Sequence, residues 1–453
     1  MFKHWIGGGP RAVAIAFITL GAVYGVWFAY SVFLVALVDD MGWSRSRTAG
    51  AFSVLSIVHG FSGPLIGRLV ERFGTQRVIA LGGLFFAAGM GLTSQIETWW
   101  QLYLSFGVVS GIGIAMAGWI PFVVTVERWY PTRLGTALGF ALSGVGFGIL
   151  VGVPVVNALV EAYGWRSTFL FAAGIGPLWV IPVALLFLQM PEPELGAESE
   201  PEPEPESAST SSPPSVAALK SEDRSEQEQQ IDGTTALEHP LSPSGEVVAP
   251  LRQDWLLRTA LRSRRFWVIG ACFFTGVCAT QVLLIHQFAF MVDQGIEKTE
   301  SSFIAGVVGL SSIAGQLYWG RLSDRIGREW VYTIAAGFNL LAIIALFILG
   351  WQAVLWVAVS FAIFIGLGFG ANAPLYPAAS RDLFFGPFFP SIYGALSVSG
   401  SLGAAVGAWL GGFLHDITGE YLVMLTLCFV LAILSPALMW LAAPRLPNPP
   451  PQG

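Results

Sequence analysis

Long apolar runs of about twenty residues or more alternate with short polar clusters along nearly the whole chain. Runs of that length cross a hydrocarbon core as helices, because a helix satisfies all its backbone polar groups internally. The pattern predicts spans at 11–37, 48–67, 78–96, 101–126, 133–160 and 168–189. A second set follows at 266–292, 301–320, 330–350, 353–379, 390–414 and 422–443. The first run is too long for a cleaved signal peptide, and no convincing cleavage site follows it. The expected fold is an all-α polytopic membrane protein of twelve transmembrane helices.

Composition agrees. The 453 residues are 54% hydrophobic and 11% charged, against about 45–50% and about 25% in soluble domains. That excludes an ordinary soluble enzyme. The net charge of −6 runs against the surplus of Lys and Arg expected of a membrane protein. It arises in one segment. From Glu192 to Asp254, 15 acidic residues face Lys220, Arg224 and Arg252, a net of −12 that leaves +6 on the rest. This Glu-, Pro-, Ser- and Gln-rich segment buries too little apolar surface to fold and reads as a disordered tether. The organisation is therefore an N-terminal six-helix bundle (1–190), an acidic linker (191–254), a C-terminal six-helix bundle (255–445) and a tail (446–453). With both termini inside, only Arg45, Arg47, Arg166 and Lys298 of the 23 basic residues fall outside. The positive-inside rule then places the termini and the linker in the cytoplasm. Arg258, Arg262 and Arg265 recur at helical spacing before the seventh span, which predicts a basic helix at the inner interface.

The two bundles repeat one another. Gly67-Arg68-Leu69-Val70-Glu71-Arg72-Phe73-Gly74 returns 253 residues later as Gly320-Arg321-Leu322-Ser323-Asp324-Arg325-Ile326-Gly327. Asp40 and Gly42 return as Asp293 and Gly295 at the same offset. Gly139, Gly148, Gly152 and Gly164 return as Gly394, Gly403, Gly407 and Gly419 at an offset of 255. A duplicated six-span unit is the parallel-repeat plan of transporters with a site between the halves.

The loops GRLVERFG and GRLSDRIG resemble the signature loop of the major facilitator superfamily, and the resemblance covers the chain outside the linker. Within it, the chain is most similar to the monocarboxylate-transporter and oxalate/formate-antiporter group. DDMGWSRS, ERWYPTRLGTALGFALSG, YGWRSTF and PSIYG carry that likeness. The resemblance implies two six-helix repeats around a central cavity. It also implies a gating network of Gly67, Arg68, Glu71, Arg72, Gly74, Gly320, Arg321, Asp324, Arg325 and Gly327 that locks the outward-facing state, with Glu127 and Arg128 placed to join it. Related carriers hold the substrate carboxylate with a basic residue in span eight. Here that span reads SSFIAGVVGLSSIAGQLYWG, so their anion-binding residues are not carried over.

No Asp, Glu, Lys or Arg lies near the middle of any span. The candidate substrate-binding residues are therefore neutral: Tyr24, His59, Trp119, Gln281, His286, Gln316, Asn372 and Tyr376. Buried polar groups in lipid face the bundle or a wet cavity, and interhelical hydrogen bonding is their competing role. His59 and His286 are also candidate proton carriers. Trp27 and Tyr30 read as interfacial anchors. Asp40 and Asp293 stand at the outer helix ends as candidate guards of the entrance. Cys272, Cys278 and Cys428 are expected to be buried free thiols. No metal-ligand cluster, nucleophile–base pair or phosphate-binding loop is present, so neither an enzyme nor a cofactor is expected, and no nucleic-acid partner. The expected function is secondary transport of a small organic solute across the plasma membrane by alternating access. A monocarboxylate is a candidate solute, symport with protons a candidate coupling. Efflux of lipophilic compounds by proton antiport and a non-transporting membrane sensor are the alternatives.

Overall fold

The structure is a computed structural model that describes residues 8–130, 134–188, 255–386 and 388–442. The predicted linker (191–254) and tail (446–453) lie outside the described residues. Among those residues all regular structure is helical.

The first half comprises α1 (Gly8–Met41), α2 (Arg45–Phe73), α3 (Thr75–Thr93) and α4 (Trp99–Trp129). One continuous apolar stretch then runs through Ala137–Phe187. It is two spans, α5 (134–163) and α6 (165–187), because Gly164 breaks the helix at φ 77° and ψ 164°. The second half comprises α7 (Arg264–Asp293), α8 (Lys298–Ile326), α9 (Arg328–Trp351), α10 (Leu355–Leu383), α11 (Phe389–Thr418) and α12 (Leu422–Ala442). Twelve spans result, in two sets of six. A separate short helix, Leu257–Arg262, precedes α7, and Ser263 caps α7 by accepting from the Arg265 N–H. The short helix holds Arg258 and Arg262, whereas Arg265, expected on the same helix, lies in α7.

The duplication is visible in the backbone. Six glycines with positive φ form three repeat pairs: Gly42 with Gly295, Gly74 with Gly327, and Gly164 with Gly419. A residue with a Cβ is strained at positive φ, so these turns hold glycine in both copies.

Close packing is duplicated too. In the first half α5 lies on α1, and a Cβ on Gly148 would sit 2.2 Å from the Gly21 carbonyl oxygen. In the second half α11 lies on α7, and a Cβ on Gly403 would sit 2.3 Å from the Phe274 carbonyl oxygen. One helical turn on, Gly152 meets Gly25 and Gly407 meets Cys278. Small residues let backbones approach where lipid gives no hydrophobic drive for association. At a third crossing the small residue changes sides: Gly144 faces Phe17, whereas its repeat mate Ser399 faces Gly270. Gly139 and Gly394 have nothing within 4 Å of their Cβ positions.

Each repeat breaks its fourth helix at the same place. α4 loses helical hydrogen bonding at Ala117 and Gly118 and restarts at Trp119; α10 breaks at Ala371 and restarts at Asn372. Pro121 and Pro374, again 253 residues apart, sit in the first turns of the restarted segments. Proline is tolerated there because it would have no intrahelical N–H partner to lose.

The halves meet along α2 with α11 and α5 with α8. The Ser53 hydroxyl donates to the Ala405 carbonyl at 2.6 Å. A Cβ on Gly60 would strike Ser401, and one on Gly146 would strike Ile313 and Gly309. Beyond these points, toward the end that carries the chain termini, Gly67, Gly139 and Gly394 have open space at their Cβ positions. At the end opposite the termini the halves are joined further by Arg45 with Asp293 and by Lys298 with Asp39.

Candidate functional site

Mid-helix positions on α1 and α2 meet the break in α4. Tyr24 lies near the middle of α1 and His59 at the middle of α2. The Tyr24 hydroxyl and His59 Nε2 are hydrogen-bonded at 3.0 Å. Gly118 makes the approach of α4 possible, since a Cβ there would lie 2.9 Å from the Tyr24 oxygen. The Trp119 ring packs against Tyr24 and His59, with centroids 6.4 and 6.3 Å away. It is nevertheless 41% exposed.

Trp27 completes the wall, 5.1 Å from the His59 ring and 5.7 Å from Tyr24. The expectation of an interfacial anchor fails for it. α1 runs on to Met41 rather than ending at 37, which places Trp27 deep in the bundle, and it is buried. Its spacing of three from Tyr24 is the signal that puts both on one helix face. Tyr30 turns away, donates to the Thr48 carbonyl at 2.5 Å and stacks on Phe106.

The remaining candidates do not join this cluster. His286 is buried between α7 and α11, and its Nε2 donates to the Ala408 carbonyl at 2.9 Å. Tyr376 shares a bond of 3.1 Å with Tyr332, which binds Ser435 at 2.7 Å, and stacks on Phe273. Both histidine and tyrosine there belong to the packing of the second half. Gln281 is buried on α7 with no partner for its Nε2. Asn372 is half-buried at the start of the lower segment of α10, the repeat position of Trp119, and Gln316 is half-buried beside that break.

The expected gating residues are not assembled across the halves. Arg68, Glu71, Arg72, Glu127 and Arg128 make no ion pair among the described residues, and Gly67 and Gly74 touch nothing at their Cβ positions. In the second half Asp324 is held within its own bundle. Arg328 reaches Asp324 at 2.6 Å and Asp382 of α10 at 3.3 Å, a tie that the motif did not reveal. Arg321 and Arg325 make no ion pair among the described residues. No group of His, Cys, Asp or Glu among the described residues has the arrangement of a metal site.

The family model described as Major Facilitator Superfamily matches residues 15–384 and 283–453. The chain belongs to this superfamily. It is a multi-pass membrane transporter and not an enzyme. Monocarboxylate transporter 13 of Bos taurus is 25% identical over 428 residues, covering 94% of this chain and 86% of that protein. Monocarboxylate transporter 12 of Rattus norvegicus is 25% identical over 444 residues, covering 96% and 85%. The oxalate:formate antiporter of Oxalobacter formigenes is 22% identical over 442 residues, covering 92% and 90%. The superfamily accounts for the paired GRLx[DE]RxG loops and the halved architecture. These relatives are carriers, which disfavours the sensor alternative.

Proposed function

We propose that this carrier moves a small monocarboxylate across the plasma membrane by alternating access, together with a proton, with both termini in the cytoplasm. The observation that supports the solute class is the cluster of Trp119, Tyr24 and His59 at the break in α4. A carboxylate needs positive potential, and the middle of the bundle has no Lys or Arg. Two other sources are at hand. The restart of α4 directs the positive end of an 11-residue helix toward the centre, where an anion is favoured. His59 adds a charge when protonated. The imidazolium donates from both nitrogens, so Tyr24 then accepts from Nε2 and the site acquires a cation to meet the carboxylate. Solute and proton then enter and leave together, which keeps the occupied centre neutral in a medium where an unpaired charge is costly. The names of the relatives, monocarboxylate transporters and an oxalate:formate antiporter, favour the same class. The arginine distribution supports the sidedness.

The test is uptake into proteoliposomes of labelled formate, acetate, lactate and pyruvate, with and without an inward proton gradient. At least one should accumulate faster with the gradient, and His59→Gln should lose that stimulation. Uptake of none of the four, or full stimulation in His59→Gln, contradicts the proposal.

A further inference from the structure

The first turn of α2 is capped from the other half of the molecule. An α-helix leaves its first N–H groups without intrahelical partners. In α2 the Arg47 N–H finds Ser44 Oγ at 3.3 Å, within its own half. The Arg45 and Ser46 N–H groups donate to the two carboxylate oxygens of Asp416, on α11, at 3.0 and 2.8 Å. The Arg45 side chain crosses as well. Its Nη2 donates to Asp293 at the end of α7 at 2.6 Å. Its Nη1 donates to the Tyr421 hydroxyl, which donates in turn to Asp293 at 2.5 Å. One residue of the first half is thus gripped by Asp293, Asp416 and Tyr421 of the second.

The repeat supplies a built-in comparison. At the offsets of 253 and 255, Arg45 corresponds to Lys298, Ser46 to Thr299 and Asp416 to Glu161. Lys298 also crosses between the halves, to Asp39 at 3.0 Å, and Thr299 approaches Glu161 at 3.5 Å. The same device has been duplicated, but this copy is loose. The Lys298 and Asp39 side chains are 43% and 58% exposed, whereas that of Arg45 is 15% exposed. Exposed pairs contribute little, and a point-charge ammonium lacks the fork that lets Arg45 serve two acceptors. A second substitution explains why Asp293 is available. Its mate Asp40 is neutralised within its own half by Arg166 at 3.2 Å and accepts from Trp165 Nε1 at 2.9 Å. The residue corresponding to Arg166 in the second half is Tyr421, which donates a hydrogen bond but brings no charge.

We propose that Arg45, Asp293 and Asp416 form the latch that closes the end of the carrier opposite the termini, and that Lys298, Asp39 and Glu161 are its slack repeat copy. To open this end, the carrier must strip α2 of its cap and part a charge pair. The Arg45 side of the interface therefore sets the balance between the two states, whichever solute is carried.

Val35 lines the sealed cleft beneath Arg45, so Val35→Cys reports opening of this end through its rate of modification by a small charged methanethiosulfonate. In the full chain, Arg45→Gln and Asp293→Asn should each raise that rate about tenfold, the change expected for losing a charge-assisted hydrogen bond. Arg45→Lys should recover part of the loss. Lys298→Gln, Asp39→Asn and the within-half control Asp40→Asn should each stay within about twofold, as exposed pairs do. Circular-dichroism melts on each variant separate opening from unfolding, and Asp293→Asn stands alone if Arg45→Gln folds poorly. The proposal fails if folded Asp293→Asn labels at the parental rate, or if Lys298→Gln accelerates labelling as much as Arg45→Gln.

Discussion

The two halves share a backbone and differ in what they hang on it. Turns at Gly42, Gly74 and Gly164 recur at Gly295, Gly327 and Gly419, and the fourth helix breaks at matching points. At the centre, however, the first half bonds Tyr24 to His59 beside a partly exposed Trp119. The second half ties Tyr332, Tyr376 and Ser435 into a closed network behind its own helices. The difference teaches that duplication preserved the residues that shape helix ends and crossings. The side chains at the centre and those that cross between halves diverged. Alternating access needs the shape twice, but one binding site needs its chemistry once.

The largest expected effect tests the shared scaffold. Gly148→Ala puts a methyl group 2.2 Å from a carbonyl oxygen, and overpacking of this kind costs about 1–3 kcal/mol or more. Its thermal midpoint should fall by several degrees, and Gly403→Ala should match it. Gly139→Ala and Gly394→Ala meet open space, and each should be neutral or gain up to about 1 kcal/mol from helix propensity. Equal losses at all four positions would remove the packing argument.

A smaller effect separates the two aromatic networks. Tyr332→Phe removes a buried hydroxyl that serves Tyr376 and Ser435, a loss of about 1–3 kcal/mol visible in a thermal melt. Its KM for solute should not change. Tyr24→Phe should raise KM, because it removes the partner of His59. Exchanged behaviour would place the solute in the second half. The smallest effect is expected at the exposed Lys298–Asp39 pair, where Lys298→Ala should shift stability by less than about 1 kcal/mol.

Much of this was legible in the chain. Twelve spans followed from apolar runs, and the repeat followed from fixed offsets between glycines. Tyr24, His59 and Trp119 stood out because polar or amphipathic groups deep in a span need a reason to be there. Other features leave no local mark. The break at Ala117 and Gly118 lies in an apolar run of small residues, which reads as unbroken helix. Trp27 looked peripheral because the end of α1 was placed four residues short. Nothing in the chain separates His59 from His286. One is bonded to Tyr24 beside Trp119 and the other is packed against Gly411, a distinction that only the assembled helices create. The grip on Arg45 joins residues 248 and 371 positions apart, so its own neighbours, Trp-Ser-Arg-Ser, reveal only a polar turn.

The central claim is that the first half carries the solute and proton chemistry, through His59. Proton uptake on solute binding measures it most directly, with purified protein in weak buffer and a pH indicator, titrated with the monocarboxylate that proves to be carried. Near neutral pH the wild type should take up close to one proton per solute bound. His286→Gln should do the same, and His59→Gln should bind more weakly and take up none. Unchanged uptake in His59→Gln, or its loss in His286→Gln, would contradict the account.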